Sequence, residues 1–140
     1  MRTVLVCIGL LGLAGCGDPD SPETQIRTTI AAIETAAEAR DVGDVMAHLS
    51  DQFRDSHGRG SEDLPRYLRG YFIANQSIHL LTRVNNLDFP TRDEARANIT
   101  VGMLGRDSAD SWDLAAELRE FDVTFMREGG EWKVTYVRLR

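Results

Sequence analysis

Apolar residues recur along the chain first with the spacing of helices and then with the alternation of strands. Between Thr24 and Arg40, Ile26, Ile30, Ile33 and Ala37 fall three or four residues apart, with Gln25, Arg27, Glu34, Glu38 and Arg40 around the opposite face. That spacing predicts one amphipathic helix of about four turns, because such positions share one side of a 3.6-residue helix. Asp41 and Gly43 interrupt it, and Asp44 is placed to cap a second short helix carrying Val45, Met46 and Leu49. After Phe53 the polar run Asp55-Ser56-His57-Gly58-Arg59-Gly60 reads as a loop. Ser61 is placed to cap a third helix whose apolar stripe is Leu64, Tyr67, Leu68, Tyr71 and Phe72, and Pro65 suits that helix only in its first turn.

The second half changes period. Ile78, Leu80, Thr82 and Val84 alternate with His79, Leu81 and Arg83, and Ala95, Ala97, Ile99, Val101 and Met103 alternate with Arg96, Asn98, Thr100 and Gly102. Phe121, Val123 and Phe125 alternate with Glu120, Asp122, Thr124 and Met126, and Glu128-Gly129-Gly130-Glu131 supplies a tight turn into a last strand. On that strand Trp132, Val134 and Tyr136 share one parity, and Lys133, Thr135, Val137 and Leu139 the other. The predicted class is α+β: three N-terminal helices packed on one face of a curved antiparallel sheet of about four strands.

Parity assigns the two faces of the sheet. The helix-covered face takes Ile78, Leu80, Val84, Ile99, Val101, Phe121, Val123, Phe125, Trp132 and Val134, with Tyr136, and also Asp88 if no bulge interrupts Asn85-Asn86. The outer face takes Leu81, Leu104, Leu118, Met126, Val137 and Leu139 among charged neighbours. A contiguous apolar patch there would mark an interface. Leu81, Leu118, Val137 and Leu139 are therefore candidate interface residues, and replacing Val137 and Leu139 with Glu is expected to abolish association while leaving the fold intact.

The first residues follow neither period. Arg2 precedes the apolar run from Val4 to Leu13, which is the length of a signal-peptide core and short for a membrane span. It ends in Leu13-Ala14-Gly15-Cys16, which matches the lipobox of bacterial lipoproteins. The reading is an export signal over residues 1–15, a diacylglyceryl group on Cys16, and an extended polar tether over residues 16–24 that includes Pro19 and Pro22. A secretory signal cleaved near Ala14 is the competing reading. Gly17 rather than Asp follows the lipidated residue, and by resemblance to Gram-negative sorting this points to the outer membrane, facing the periplasm; Asp18 weighs the other way.

Composition narrows the chemistry. The only cysteines are Cys7, which leaves with the signal, and Cys16, which carries lipid, so the mature domain has no thiol for a disulfide, a zinc site or nucleophilic catalysis. Removing residues 1–15 takes Arg2 from a chain of net charge −6, leaving −7. That balance argues against nucleic acid as a partner, which needs clustered Lys and Arg. His48, His57 and His79 are dispersed and give no metal signature. No cofactor motif appears, and Gly58-Arg59-Gly60 is too short for a phosphate loop.

The corner helices, the segment from Phe53 to Phe72, and the closing strand, Gly-Gly turn and Glu131-Trp132-Lys133-Val134 resemble the nuclear transport factor 2-like superfamily, including its ketosteroid-isomerase-like and polyketide-cyclase-like members. The resemblance covers residues 25–140. It implies a cone-like roll whose curved sheet wraps a long helix, often with a pocket at the open end, on a fold that hosts enzymes, binding domains and assembly modules alike. Tyr67, Tyr71, Phe121, Trp132 and Tyr136 are the candidate pocket residues. An isomerase-like or cyclase-like enzyme would need a carboxylate base in that pocket, for which Asp88 and Asp113 are the candidates, with Tyr136 as a hydroxyl donor. These do not align onto the isomerase-like catalytic set. The favoured expectation is a membrane-anchored periplasmic domain that is not an enzyme and binds a protein, either a second copy of itself or an envelope partner, or a small apolar ligand; a structural subunit of an envelope complex is the third.

Overall fold

The computed structural model describes Asp18, residues 20–104 and residues 117–140. Helix α1 (Pro22–Glu38) is capped by Ser21, whose hydroxyl accepts from the Thr24 amide at 3.2 Å. It ends where Arg40 turns left-handed (φ 56°) and the Asp41 amide reaches back to the Ala36 carbonyl at 2.9 Å. Asp41, not Asp44, caps α2 (Val42–Ala47): its carboxylate accepts from the Asp44 amide at 3.0 Å. Helix α3 (Leu64–Ala74) has Pro65 in its first turn, as its missing N–H requires. Ser61 does not cap it, since its hydroxyl donates to the Asp51 carbonyl instead.

The sheet has five strands rather than four, and it is mixed. β1 (Leu49–Asp55), β2 (His79–Thr91), β3 (Glu94–Leu104), β4 (Glu117–Glu128) and β5 (Glu131–Leu139) lie in the order β1-β5-β4-β3-β2. β2 to β5 form the expected antiparallel meander, and Gly129 (φ 58°) and Gly130 (φ 83°) make the tight turn between β4 and β5. β1 was not expected. It falls between α2 and α3 in the chain and pairs parallel with β5, Leu49 beside Val134 and Asp55 beside Val137.

One hydrophobic core fills the space between the helices and the sheet. Ile26 and Ile30 of α1, Phe53 of β1 and Leu64 of α3 meet Ala95, Ala97, Val123, Phe125, Trp132 and Val134 of the sheet. Ala95, Ala97, Ile26 and Phe125 are almost wholly buried. A second cluster, Ala36, Val45, Phe72 and Ile78, closes the other end.

Two bulges change the face assignments. On β2, Val84 pairs with Ile99 and Asn86 with Asn98, so Asn85 is an extra residue; Leu87 then packs on the core and Asp88, opposite Arg96, turns outward. On β5, Val134 pairs with Phe125 and Tyr136 with Thr124, leaving Thr135 extra. Beyond it every parity reverses: Val137 packs on the core opposite Val123, Leu139 lies opposite Phe121, and Tyr136 faces outward. Val137 and Leu139 therefore do not belong to an outer-face interface, whereas Leu81 (63% exposed) and Leu118 (69%) do lie on that face.

The reversal is testable by substitution. Val137→Glu would place a carboxylate against the core and should destabilise the protein by about 2–4 kcal/mol, whereas Leu81→Glu should change stability by less than about 0.5 kcal/mol. Urea unfolding of the two variants reads the difference.

Candidate functional site

The outer face of the sheet carries a cross-strand polar network. Asn98 on β3 donates through its amide to Glu120 (2.8 Å) and Asp122 (2.9 Å) on β4. Its carbonyl accepts from Asn85, which also bonds Thr100. From β5, Arg138 donates to Asp122 at 2.5 Å, and Arg140 donates to the same oxygen at 2.9 Å and to Glu120 at 3.4 Å. Asp122 is the hub. Hydrogen bonds from Arg138, Asn98 and Arg140 outweigh the small effect of burial and hold its carboxyl well below its ordinary value of 3.8. Such a carboxylate stays ionised and is a poor proton acceptor near neutral pH; it suits recognition of cations better than general-base catalysis.

An open groove of about 340 Å³ runs over this face, lined among others by Asp88, Arg96, Asn98, Asp122, Tyr136 and Arg138. At the end of the sheet toward β3–β4, Leu81, Gly102 and Leu118 lie side by side on adjacent strands. A side chain at Gly102 would come within 3.2 Å of Leu118, so the glycine lets two exposed leucines form one apolar strip. The face is thus divided into an apolar end and a charged remainder.

On the other side, an open cleft of about 490 Å³ lies between α1 and the β4–β5 hairpin, bordered by Gln25, Thr28, His48, Glu131, Trp132 and Lys133. Trp132 donates its indole N–H to Gln25 at 3.0 Å, and Lys133 donates to the Ala47 carbonyl. A third polar group of interest is the loop after β1. Burial pushes the Asp55 carboxyl up, but bonds from the Arg59 and His57 amides and the Arg59 guanidinium overcome it and leave it lowered. That guanidinium also stacks over Tyr67 at 3.9 Å.

The residues expected to line one pocket do not converge. Tyr67 and Tyr71 stack on each other along α3, and the Tyr71 hydroxyl contacts the Met103 sulfur at 3.2 Å. Phe121 is half-buried against the core, Trp132 is buried beside Phe89 and Arg127, and Tyr136 is on the opposite face of the sheet. Asp88 is in the outer groove, away from the helices, so it cannot act as a base inside the cone. Asp113, Cys16 and the lipobox lie outside the described residues. His79 and His57 are exposed, and His48 caps the C-terminus of α2. The Asn85–Asn98–Asp122 network was not anticipated, although the spacing of Asn98 and Thr100, Glu120 and Asp122, and Arg138 and Arg140 already marks polar strand faces; their adjacency depends on register. Among the described residues no helix is long and apolar enough to cross a membrane.

No family model and no curated protein matches the sequence. Solved structures do match the fold. A protein from Novosphingobium aromaticivorans provisionally named a scytalone dehydratase superposes with a TM-score of 0.71 at 15% identity, covering 84% of this chain and 82% of its own. A nuclear transport factor 2-like protein of unknown function from Shewanella oneidensis gives 0.66 at 12%, covering 85% and 98%. A protein from Thiobacillus denitrificans provisionally named a calcium/calmodulin-dependent protein kinase type II association domain gives 0.65 at 17%, covering 81% and 91%. The chain has the nuclear transport factor 2-like fold. At these identities the likeness extends to architecture and not to activity.

The Asp122 cluster has a pH signature. Because its folded pKa lies below the ordinary value, its contribution to stability is present above that value and is lost as the pH falls from 3.8 toward the depressed one. Asp122→Asn should lower the unfolding midpoint most at neutral pH, where the carboxylate contributes fully, and flatten the acid limb, so that the two proteins converge below about pH 4. Thermal melts across that range decide it.

Proposed function

We propose that the mature protein is a lipid-anchored, non-catalytic domain on the periplasmic side of the outer membrane that associates through the outer face of its sheet, with a second copy of the chain as partner. The observation that carries this reading is that the exposed Leu81–Leu118 strip shares one sheet face with charges of both signs. A two-fold pairing sets one patch against itself, so a face that holds Asp88 and Glu120 together with Arg96 and Arg140 can complement its own copy. The apolar interior between helices and sheet is filled by Trp132, Phe125, Phe53 and the α1 isoleucines, which favours a protein partner over a small apolar ligand. Anchoring rests on Leu13-Ala14-Gly15-Cys16 and the polar residues that follow.

Two measurements test the reading. The N-terminal peptide of the protein isolated from envelopes should begin at Cys16 and carry a diacylglyceryl mass; a peptide beginning elsewhere, or without lipid, contradicts the anchor. In detergent, sedimentation equilibrium should give a reversible dimer that the pair Leu81→Glu and Leu118→Glu converts to monomer at unchanged stability. A strictly monomeric parent protein contradicts the self-association.

A further inference from the structure

The junction between tether and domain is built of specific contacts. Asp18 accepts from the Ser21 amide (3.1 Å) and the Thr24 hydroxyl (3.1 Å) through its carbonyl, and from the Asp20 amide (3.0 Å) through its side chain. Gln25 then joins this collar to the sheet: its amide N–H donates to the Asp20 carbonyl at 3.1 Å, and its carbonyl accepts from the Trp132 indole at 3.0 Å. Cys16 stands only two residues before Asp18, at most about 7 Å of extended chain.

Pairings place that junction at one end of the molecule. Trp132 pairs with Arg127, next to the β4–β5 turn, while the other end of α1 meets the start of β2, where the Glu38 carboxylate accepts from the Leu80 amide at 2.7 Å. Leu80 pairs with Met103 and Met103 with Glu117, at the opposite end of the sheet. Helix α1, about 25 Å long, thus runs along most of the strands' length, and the 11 residues of β3 span roughly 35 Å between the two ends. The collar end also holds the β2–β3 turn around Arg92. The far end holds the three most exposed large apolar side chains among the described residues, Ile73 (76%), Leu118 and Leu81.

Resting on the anchor reading above, we propose that the collar and the two-residue link hold the domain end-on at the bilayer, with the β4–β5 and β2–β3 turns against the lipid headgroups and the apolar end pointing away. The sheet face then stands upright and remains accessible to a second copy anchored alongside. The charges at the headgroup end are of both signs with an acidic excess, Asp18, Asp20, Asp93, Glu128 and Glu131 against Arg92, Arg127 and Lys133. Attraction to anionic lipid therefore does not set the orientation; the tether does.

The test uses the mature lipoprotein reconstituted into vesicles of phosphatidylethanolamine and phosphatidylglycerol that carry a headgroup quencher. A single fluorophore is attached through Arg92→Cys or through Ile73→Cys. The Arg92 position should be quenched several-fold more strongly than the Ile73 position. Equal quenching, or stronger quenching at Ile73, in protein whose acyl mass is confirmed overturns the orientation and leaves the anchor intact. A flexible Gly-Ser insert between Gly17 and Asp18 should collapse the contrast, and its persistence overturns the tether as the cause. Protein lacking the acyl mass overturns the anchor and the orientation with it.

Discussion

One extra residue in the last strand decides which side chains this domain hides and which it offers. Thr135 has no register partner on β4, so the pleat reverses at that point, turning Val137 and Leu139 inward opposite Val123 and Phe121 and sending Tyr136, Arg138 and Arg140 outward. Without that reversal, two aliphatic residues would lie on the solvent face, and Asp122 would have no guanidinium groups beside it. The bulge at Asn85 does the same for β2, bringing Leu87 to the core and Asp88 to the surface. Bulges also increase local twist, which is what a sheet needs to curl around a single helix.

From that constraint the two faces acquire distinct properties. The inner face is a continuous apolar contact between α1, α3 and the sheet, with Trp132 tied to Gln25 so that its one polar atom is satisfied. The outer face is a ladder of amides, carboxylates and guanidinium groups that neutralise one another, ending in an apolar strip that is left uncovered. Neither arrangement brings a free carboxylate and a hydroxyl together in a dry cavity among the described residues, as proton transfer at carbon requires.

Much of the fold is legible in the sequence because the helical stripes of α1 and α3 and the alternation of β3 and β4 are strong and local. What fails is either short or nonlocal. β1 contains only Leu49 and Phe53 as apolar residues in seven, and it is a strand because β5 lies beside it, a partner 82 to 85 residues away in the chain. The bulges leave no mark on composition: Asn85 and Thr135 are ordinary polar residues, and a parity count carried past them inverts the outcome for Asp88, Tyr136, Val137 and Leu139. Leu81 and Leu118 precede any such break in their strands, so parity assigns them correctly to the outer face. The capping of α2 shows a smaller version of the same problem, since Asp41 and Asp44 both suit the role and only backbone geometry chooses between them.

The central claim, that the Thr135 bulge sets the two faces, is tested most directly by thiol accessibility along β5. In protein whose Cys7 and Cys16 are replaced by Ser, a single cysteine would be introduced by Tyr136→Cys or by Val137→Cys and its maleimide labelling rate measured under native conditions. The account predicts rapid labelling at position 136 and strong protection at position 137 that is lost on unfolding in urea. Rapid labelling at 137 with protection at 136 would mean that β5 keeps an unbroken alternation, and the assignment of both faces would be contradicted.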